Sequence, residues 1–233
     1  MSNEDLCPVS EALALNDGFV MNVFVERPIE PAKATIVLLS PIFGVDEIFT
    51  QTMREWSQAG YLAVAPDYFA RVFPGALPHT EDGFRDALHR VKAVNRDQLL
   101  ADLREIGSHF SQGRALFIGG YCAGGEPALR LALEGFGEAW VIFHAARLAL
   151  YADRLSAISG PLELHFGGAD ALVPQSEVDR VRQAAVGNAN IHVTVHPGAD
   201  HGFTQAGGRN FHSEAAAVAF ALARARLDAA LAR

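Results

Sequence analysis

The glycine-rich stretch at residues 119–125, Gly-Gly-Tyr-Cys-Ala-Gly-Gly, limits the folds open to this chain more than any other segment. It follows the apolar run at 114–118 and precedes a run at 126–133 that favours a helix. A strand that enters a glycine-flanked turn and leaves as a helix is the setting of a nucleophile elbow, G-x-S-x-G. Cys122 stands at the centre of that motif. The segment therefore predicts a thiol at the carboxyl edge of a sheet, above a helix amino end that favours its thiolate form.

A tight strand-to-helix turn around a small buried cysteine is the structural alternative, because free cysteine is often buried. Four glycines around one cysteine exceed what such packing needs. Glycines on both sides instead permit backbone angles that a Cβ would obstruct, and they let a neighbouring strand pass closely. The functional interpretation of Cys122 is therefore favoured.

Strand and helix patterns alternate along the chain from about residue 34, after an early strand that the pattern places at a sheet edge. Strands separated by helices of this length predict an α/β fold, a mostly parallel sheet with right-handed crossovers and helices on both faces. The predicted strands are 20–25, 34–39, 61–65, 114–118, 139–143, 161–166 and 191–195, and the predicted helices are 47–59, 82–94, 96–110, 126–133, 174–185 and 213–231. Pro and Gly mark 68–79 as a long loop, so residues 68–94 are the candidate lid or pocket wall.

Length and charge restrict the function classes. One domain over residues 1–233 is expected, since 233 residues of which 50% are hydrophobic suit a single α/β unit. The formal net charge of −8 and the lack of a basic run argue against nucleic acid as a partner. The acidic start and the lack of a long apolar stretch predict neither a secretory signal nor a membrane span. Two cysteines, Cys7 and Cys122, suit a reducing cytoplasm, and no chemical role is expected for Cys7.

Two downstream loops supply the partners that a cysteine nucleophile needs, a base and a group that orients the base. Asp170 follows the predicted strand 161–166, and His201 follows the strand 191–195. Parallel strands bring these loops to the same sheet edge as Cys122, and the order nucleophile, acid, histidine matches the elbow enzymes. Asp170 could instead satisfy nearby backbone amides, as Asp often does in loops.

Other polar residues near the predicted base have simpler interpretations. His196 lies at the strand end before Pro197 and is expected to pack or cap, and Asp200 is interpreted as surface charge. His144 follows a predicted strand and is the remaining histidine that could line a pocket. The spacing of histidines, acids and cysteines predicts no metal site.

Backbone amides should stabilise the oxyanion of the transition state. The elbow predicts the N–H of Ala123 as one donor, and the loop 40–44 after an early strand predicts a second. Ile42 is the expected second donor, because Pro41 has no N–H.

The chain resembles the dienelactone hydrolase family of α/β-hydrolases over nearly its whole length. The segments that carry the resemblance are 42–45, 60–67 with 68–71, 120–125, 167–170 and 197–203. The resemblance implies a Cys122–His201–Asp170 triad and ester hydrolysis through a thioacyl-enzyme, without metal or organic cofactor. Phe43, Tyr121, His144 and Phe203 are the candidate substrate-binding residues.

Two departures from the family pattern bear on the substrate. The dienelactone-cleaving members carry a glutamate where this chain has Pro41, and an arginine where it has Thr204-Gln205, with Arg209 only further along. A buried substrate carboxylate needs a charged partner, so the missing arginine argues against a carboxylated dienelactone. The cations that could replace it from the lid region are Arg71, Arg85 and Arg96.

The expected function is hydrolysis of an ester, lactone or thioester of a small, largely apolar acyl compound, by a monomer in the cytoplasm. The alternative from another class is a catalytically idle hydrolase fold that binds a ligand or a protein partner, which the two departures motivate. The complete triad order argues against it, because an idle descendant has no physical need for all three residues. No second thiol lies near Cys122 in the sequence, which disfavours disulfide chemistry.

Overall fold

The computed structural model describes residues 8–232, and Cys7 lies outside them. The chain folds as two compact units, one made of residues up to Leu116 and the other of residues from Phe117 onward. The strands are β1 (Val9–Ala14), β2 (Val20–Glu26), β3 (Ala34–Leu39), β4 (Tyr61–Pro66), β5 (Leu116–Tyr121), β6 (Ala139–Phe143), β7 (Leu162–Gly167) and β8 (Ile191–His196). The α-helices are α1 (Glu47–Gln58), α2 (Glu81–Ala93), α3 (Arg96–Ser111), α4 (Gly125–Leu133), α5 (Gln175–Ala185) and α6 (Ser213–Leu231).

The first unit orders its strands β1-β2-β4-β3. β1 and β2 pair antiparallel, as do β2 and β4, whereas β3 and β4 run parallel. Every residue of β3 and β4 is buried, which explains their continuous apolar sequences. Helices α1 and α3 pack against β4, and α3 also packs against β3.

The second unit carries four parallel strands in the order β5-β6-β7-β8. All residues of β5, β6 and β7 are buried, so both faces of these strands are covered. Helices α4 and α6 pack against β6, and α5 packs against β8. Because the strands are parallel, the loops that follow β5, β6, β7 and β8 all leave one edge of the sheet, where open α/β folds place their ligand sites.

The mostly parallel arrangement and the six long helices agree with the sequence predictions, and four details differ. The strand predicted at 20–25 is not an edge strand, because β2 pairs with β1 on one side and β4 on the other. The sequence does not predict β1, since its half-exposed residues lack an apolar run. The elbow strand continues through both glycines to Tyr121, and an unpredicted 3₁₀ segment occupies Leu148–Ala157.

The predicted lid region consists of a loop without helix or strand at 67–80, followed by α2. Arg71 anchors the loop by two hydrogen bonds to the buried carboxylate of Asp102, at 2.6 and 2.9 Å, and by an ion pair with Asp17 at 2.7 Å. Its motion as a lid and the single domain over 1–233 both stay predictions. No helix among residues 8–232 is long and apolar enough to cross a membrane.

Candidate active site

Cys122 occupies the sharp turn that the sequence predicts. β5 ends at Tyr121, and a 3₁₀ turn, Cys122–Gly124, runs directly into α4. The backbone of Cys122 has φ 51°, a left-handed conformation that is costly for a residue with a side chain. Such strain is typical of functional sites.

Two glycines make this turn sterically possible. A Cβ on Gly120 would lie 2.6 Å from the carbonyl oxygen of Gly124 and 2.7 Å from the Cβ of Ala128. A Cβ on Gly125 would lie 2.2 Å from the Cβ of Ala145 and 2.8 Å from a methyl of Ile142. The first turn of α4 therefore packs against β5 and the end of β6 at a distance that only glycine allows.

Gly125→Ala should displace the elbow, because a helix at this distance leaves no room for a methyl group. A misplacement of roughly 1 Å at a reacting atom costs about 100-fold in rate, so ester turnover should fall by that order. Overpacking should also lower the free energy of unfolding by about 1–3 kcal/mol, measured by urea denaturation.

Gly135→Ala is the matched control for the elbow variant. Gly135 lies just beyond α4 with φ 69°, and nothing lies within 4 Å of its missing Cβ. This variant should lose some stability through backbone strain and keep its turnover. Equal turnover in both variants would contradict the steric role of Gly125.

Backbone hydrogen bonds join the loops after β7 and β8. The N–H of Gly168 donates to the carbonyl of His196 at 2.8 Å, and the N–H of Ala169 donates to that of Ala199 at 2.9 Å. A Cβ on Gly167 would lie only 2.4 Å from the Ala199 oxygen, so the glycines let the two loops touch. This close approach brings the acid on one loop to the histidine on the other.

The structure brings together the three predicted triad residues. His201 Nε2 lies 3.0 Å from Cys122 Sγ, and His201 Nδ1 lies 2.8 Å from Asp170 Oδ2. The Asp170 side chain is fully buried, and its Oδ1 accepts a hydrogen bond from the N–H of Leu172 at 2.8 Å. The carbonyl of His201 accepts from Asn210 Nδ2 at 2.9 Å, which fixes the loop from the other side. Hydrogen bonds therefore hold both the Asp170 carboxylate and the His201 loop in place.

Electrostatics favour a charged imidazole at this position. Burial lowers the pKa of His201, but hydrogen bonds to Asp170 and Cys122 and the charges of both outweigh burial and raise it to about 10. With both ring nitrogens protonated, Nδ1–H donates to the carboxylate and Nε2–H donates to sulfur. The arrangement places a protonated imidazole 3.0 Å from the Cys122 sulfur.

His144 lies behind this pair instead of on an open surface. Its ring is fully buried and meets the His201 ring edge-on at 5.3 Å, and its Nε2 lies 3.0 Å from Thr204 Oγ1. Burial, and next the charge of His201, lower the pKa of His144 well below the usual range, so the ring stays neutral. Thr204, which the sequence resemblance places where the dienelactone-cleaving members carry arginine, thus hydrogen-bonds an inner histidine.

The other predicted substrate-binding residues of this unit are also packed inside. Tyr121 is 2% exposed and stacks on Phe143 at 4.6 Å, and Phe203 is fully buried between His144 and His196. Both rings pack against that of His144, with ring centroids 6.1 and 5.8 Å away. Substrate contact by Tyr121, His144 and Phe203 stays a prediction.

His196 packs in the interior, as the sequence indicates. Its Nε2 lies 3.1 Å from Nδ1 of His165, and both rings are buried. Burial lowers the pKa of each, that of His165 to about 3, so the pair is neutral. Asp200 also does more than carry charge, because its Oδ1 accepts from the His201 N–H at 2.6 Å.

Ile42 and Phe43 lie in a turn of the first unit. The N–H of Gly44 closes the turn on the carbonyl of Pro41 at 3.0 Å and leaves the N–H of Ile42 unused by it. The Phe43 ring stacks on His79 at 4.0 Å, and His79 Nε2 lies 2.6 Å from Asp46 Oδ2. Sequence reasoning missed His79 and Asp46, because nothing in their spacing marks them as partners.

Arg71 is unsuited to replace the missing family arginine. Its guanidinium is already bound by Asp102 and Asp17, and it lies over the Phe19 ring at 4.2 Å. Arg85 forms an exposed ion pair with Asp82 at 2.9 Å, and Arg96 begins α3. A cation for a substrate carboxylate is therefore not supplied by Arg71.

The sequence profile of the dienelactone hydrolase family matches residues 21–229. The chain belongs to that family. The carboxymethylenebutenolidase of Pseudomonas putida is 27% identical over 210 residues, covering 87% of this chain and 89% of that protein. This family membership makes the chain a hydrolase of the dienelactone hydrolase type.

Solved structures of dienelactone hydrolases and their relatives share the fold. A provisionally named dienelactone hydrolase of Klebsiella pneumoniae superposes with TM-score 0.79 at 26% identity, covering 98% of this chain and 100% of that one. A dienelactone hydrolase-like promiscuous phosphotriesterase from metagenomic libraries gives TM-score 0.72 at 17% identity, over 95% and 98% of the two chains, which shows the fold alone. The α/β-hydrolase fold implied by the sequence resemblance is confirmed.

Metal-binding side chains are not clustered in the part of the chain that the structure describes. Among residues 8–232, no three His, Cys, Asp or Glu side chains converge as a metal site would require. The elbow and the loops after β7 and β8 instead bring together Cys122, Asp170 and His201.

Proposed function

We propose that this dienelactone hydrolase family member cleaves a carboxylic ester, lactone or thioester through Cys122, His201 and Asp170, by way of a thioacyl-enzyme. The observation that carries the proposal is the unbroken chain of contacts, 3.0 Å from sulfur to imidazole and 2.8 Å from imidazole to carboxylate. A nucleophile within reach of a base that a third group orients is the signature of covalent catalysis.

In the first half-reaction the Cys122 thiolate attacks the carbonyl carbon of the substrate, and a C–S bond forms. The carbon–oxygen (or carbon–sulfur) bond to the leaving group then breaks. His201 gives its Nε2 proton to the departing alkoxide or thiolate, so the imidazole becomes neutral. Asp170 keeps Nδ1–H pointing at its own carboxylate, which leaves Nε2 free to act as a base.

In the second half-reaction neutral His201 takes a proton from water as the hydroxide attacks the thioacyl carbon. The C–S bond breaks, the acid product leaves, and the imidazolium–thiolate pair is restored. The predicted donors to the oxyanion are the N–H groups of Ala123 and Ile42, each worth about 3 kcal/mol in the transition state. The N–H of Ala123 is available because the first amides of a helical segment lack intrahelical acceptors.

The substrate proposed is a small, largely apolar acyl compound. The family arginine position holds Thr204, which hydrogen-bonds His144, and Arg71 is engaged by two aspartates. We also propose that the protein is a monomer in a reducing compartment such as the cytoplasm, because its sequence features favour both properties.

An idle hydrolase fold is the competing hypothesis, and the reactivity of Cys122 with iodoacetamide tests it. The pKa of His201, about 10 against its ordinary 6.5, keeps the imidazolium present below that pH and removes it above. At pH 6.5, where an ordinary thiol is only about 1% ionised, wild type should therefore alkylate at least about 10-fold faster than His201→Gln. The advantage should disappear as the pH rises through about 10.

Mass spectrometry of the alkylated peptide assigns the rate to Cys122, and Cys7→Ala removes the second thiol as a control. Equal rates in wild type and His201→Gln from pH 6 to 9 would support the idle fold. Slow, ordinary alkylation in both would also exclude the ion pair that the proposed mechanism starts from.

A further inference from the structure

Arg90 is a buried cation whose hydrogen bonds all go to the backbone. It lies on α2 with 1% of its surface exposed. Its Nε and Nη2 donate to the carbonyl of Ile42 at 3.2 and 2.6 Å, and its Nη1 donates to the carbonyls of Phe73 and Gly75 at 3.3 and 2.7 Å. One guanidinium thus joins the turn at 41–44 to the loop at 73–75.

The charge of Arg90 has no hydrogen-bonded carboxylate among residues 8–232. The nearby Asp67 acts through its field, while its Oδ2 accepts from the N–H of Gly75 at 2.6 Å. The guanidinium lies over the Phe69 ring at 4.3 Å, which offers further stabilisation. Burial lowers the pKa of Arg90, although Asp67 opposes the shift. Burying a cation costs free energy, and all the hydrogen bonds that Arg90 makes go to backbone carbonyls. Its role is therefore to hold these backbone segments in place.

The turn that Arg90 holds has little freedom of its own. The N–H of Gly44 closes it on Pro41, and the carbonyl of Phe43 accepts from the N–H of Leu77 at 2.8 Å. Gly44 has φ 88°, and a Cβ there would lie 3.0 Å from Arg90 Nη2. With the carbonyls of Pro41, Ile42 and Phe43 all engaged, the direction of the Ile42 N–H is fixed.

We infer that Arg90 is a positioning residue that fixes the direction of the Ile42 N–H, the predicted second donor to the oxyanion in the proposed ester cleavage. This inference rests on the proposed function, since Ile42 is the predicted second donor. Through Arg90, α2 at the end of the predicted lid region is bonded directly to the turn at 41–44. Arginine suits this place because its rigid planar fork carries five N–H donors and reaches three carbonyls through four hydrogen bonds, whereas an ammonium carries only three donors on one atom.

The test compares Arg90→Lys and Arg90→Met with wild type in the steady-state hydrolysis of p-nitrophenyl acetate. A misdirected oxyanion donor should lower kcat by about 100-fold with KM within about twofold, because the donor acts mainly in the transition state. Alkylation of Cys122 by iodoacetamide should be unchanged, since displacement of iodide develops no oxyanion. A purely structural role would lower both rates together.

Arg114→Lys is the matched control in the same unit. Arg114 also binds backbone, donating from Nη2 to the carbonyl of Phe110 at 3.1 Å, and its Nε donates to Thr35 Oγ1 at 3.4 Å instead of to the 41–44 turn. This variant should keep the wild-type kcat. If the folded Arg90→Lys protein also keeps it, the positioning role is wrong.

Amide NMR separates this inference from the proposed function. In Arg90→Lys the Ile42 and Gly44 amide signals should shift, and in Arg114→Lys they should not. Unmoved Ile42 and Gly44 signals overturn the positioning role whatever the activity is. Shifted signals in a protein whose wild type never turns over an ester would support the link and reject the proposed hydrolysis.

Discussion

Cys122→Ala is expected to abolish multiple-turnover hydrolysis of p-nitrophenyl acetate, lowering kcat by about 10⁶-fold. The Cys122 sulfur is the only atom of the proposed triad that bonds to the substrate carbon, so neither His201 nor the oxyanion donors can replace it. Product should be measured well beyond one equivalent per enzyme, because surface thiols also react slowly with activated esters.

Two companion variants sharpen this result. Cys122→Ser keeps the elbow geometry but presents a hydroxyl that an imidazolium partner does not ionise, so its turnover should also fall far below wild type. Cys7→Ala should retain full turnover, since no chemistry is predicted for that residue. Loss of activity in Cys7→Ala, or its survival in Cys122→Ala, would place the nucleophile elsewhere.

Local pattern is sufficient to predict the parts of the fold where burial is uniform. The apolar runs of β3 and β4 are buried along their whole length, and the predicted helix ends agree with the structure to within about a residue or two. The sequence does not predict β1, because its residues are exposed or half-buried and form no apolar run. Only its pairing with β2 identifies it as a strand. Pairing partners are long-range information, which also explains the error about β2 as an edge strand.

The three residues of the proposed triad can be named from the sequence because a sharp turn and two strand ends fix their place in a parallel sheet. The contacts made by the residues around these three cannot be predicted in the same way. Thr204 meets His144 across 60 positions of sequence, and Arg90 meets Ile42 across 48. No local pattern encodes such contacts, since each depends on where two separate loops come to rest.

The substitution of the family glutamate by Pro41 acquires a physical meaning in this geometry. Proline gives up its N–H and begins a turn whose shape is set by Gly44 and Arg90. His201, whose pKa of about 10 keeps it charged throughout the physiological range, lies 3.0 Å from the Cys122 sulfur. In the proposed mechanism the orientation of that imidazole by Asp170 is therefore decisive.

Asp170→Asn should leave the fold intact and lower kcat by about 10⁴-fold. The amide oxygen can keep the hydrogen bond from the Leu172 N–H, but the NH₂ group then faces His201 Nδ1 and donates to it. This favours the tautomer with the proton on Nε2, which cannot accept a proton from water. The measurement is steady-state kcat for p-nitrophenyl acetate, with urea unfolding to show that stability is retained.

Asp200→Asn is the matched control, because Asp200 adjoins His201 but contacts only its backbone N–H. An asparagine oxygen can accept that bond equally well, so this variant should keep its turnover. The pH dependence gives a second, independent readout. Without the Asp170 charge the pKa of His201 should fall from about 10, so the rapid alkylation of Cys122 should end at a lower pH in Asp170→Asn than in wild type. Wild-type kcat together with an unchanged alkylation profile in Asp170→Asn would remove this carboxylate from the mechanism.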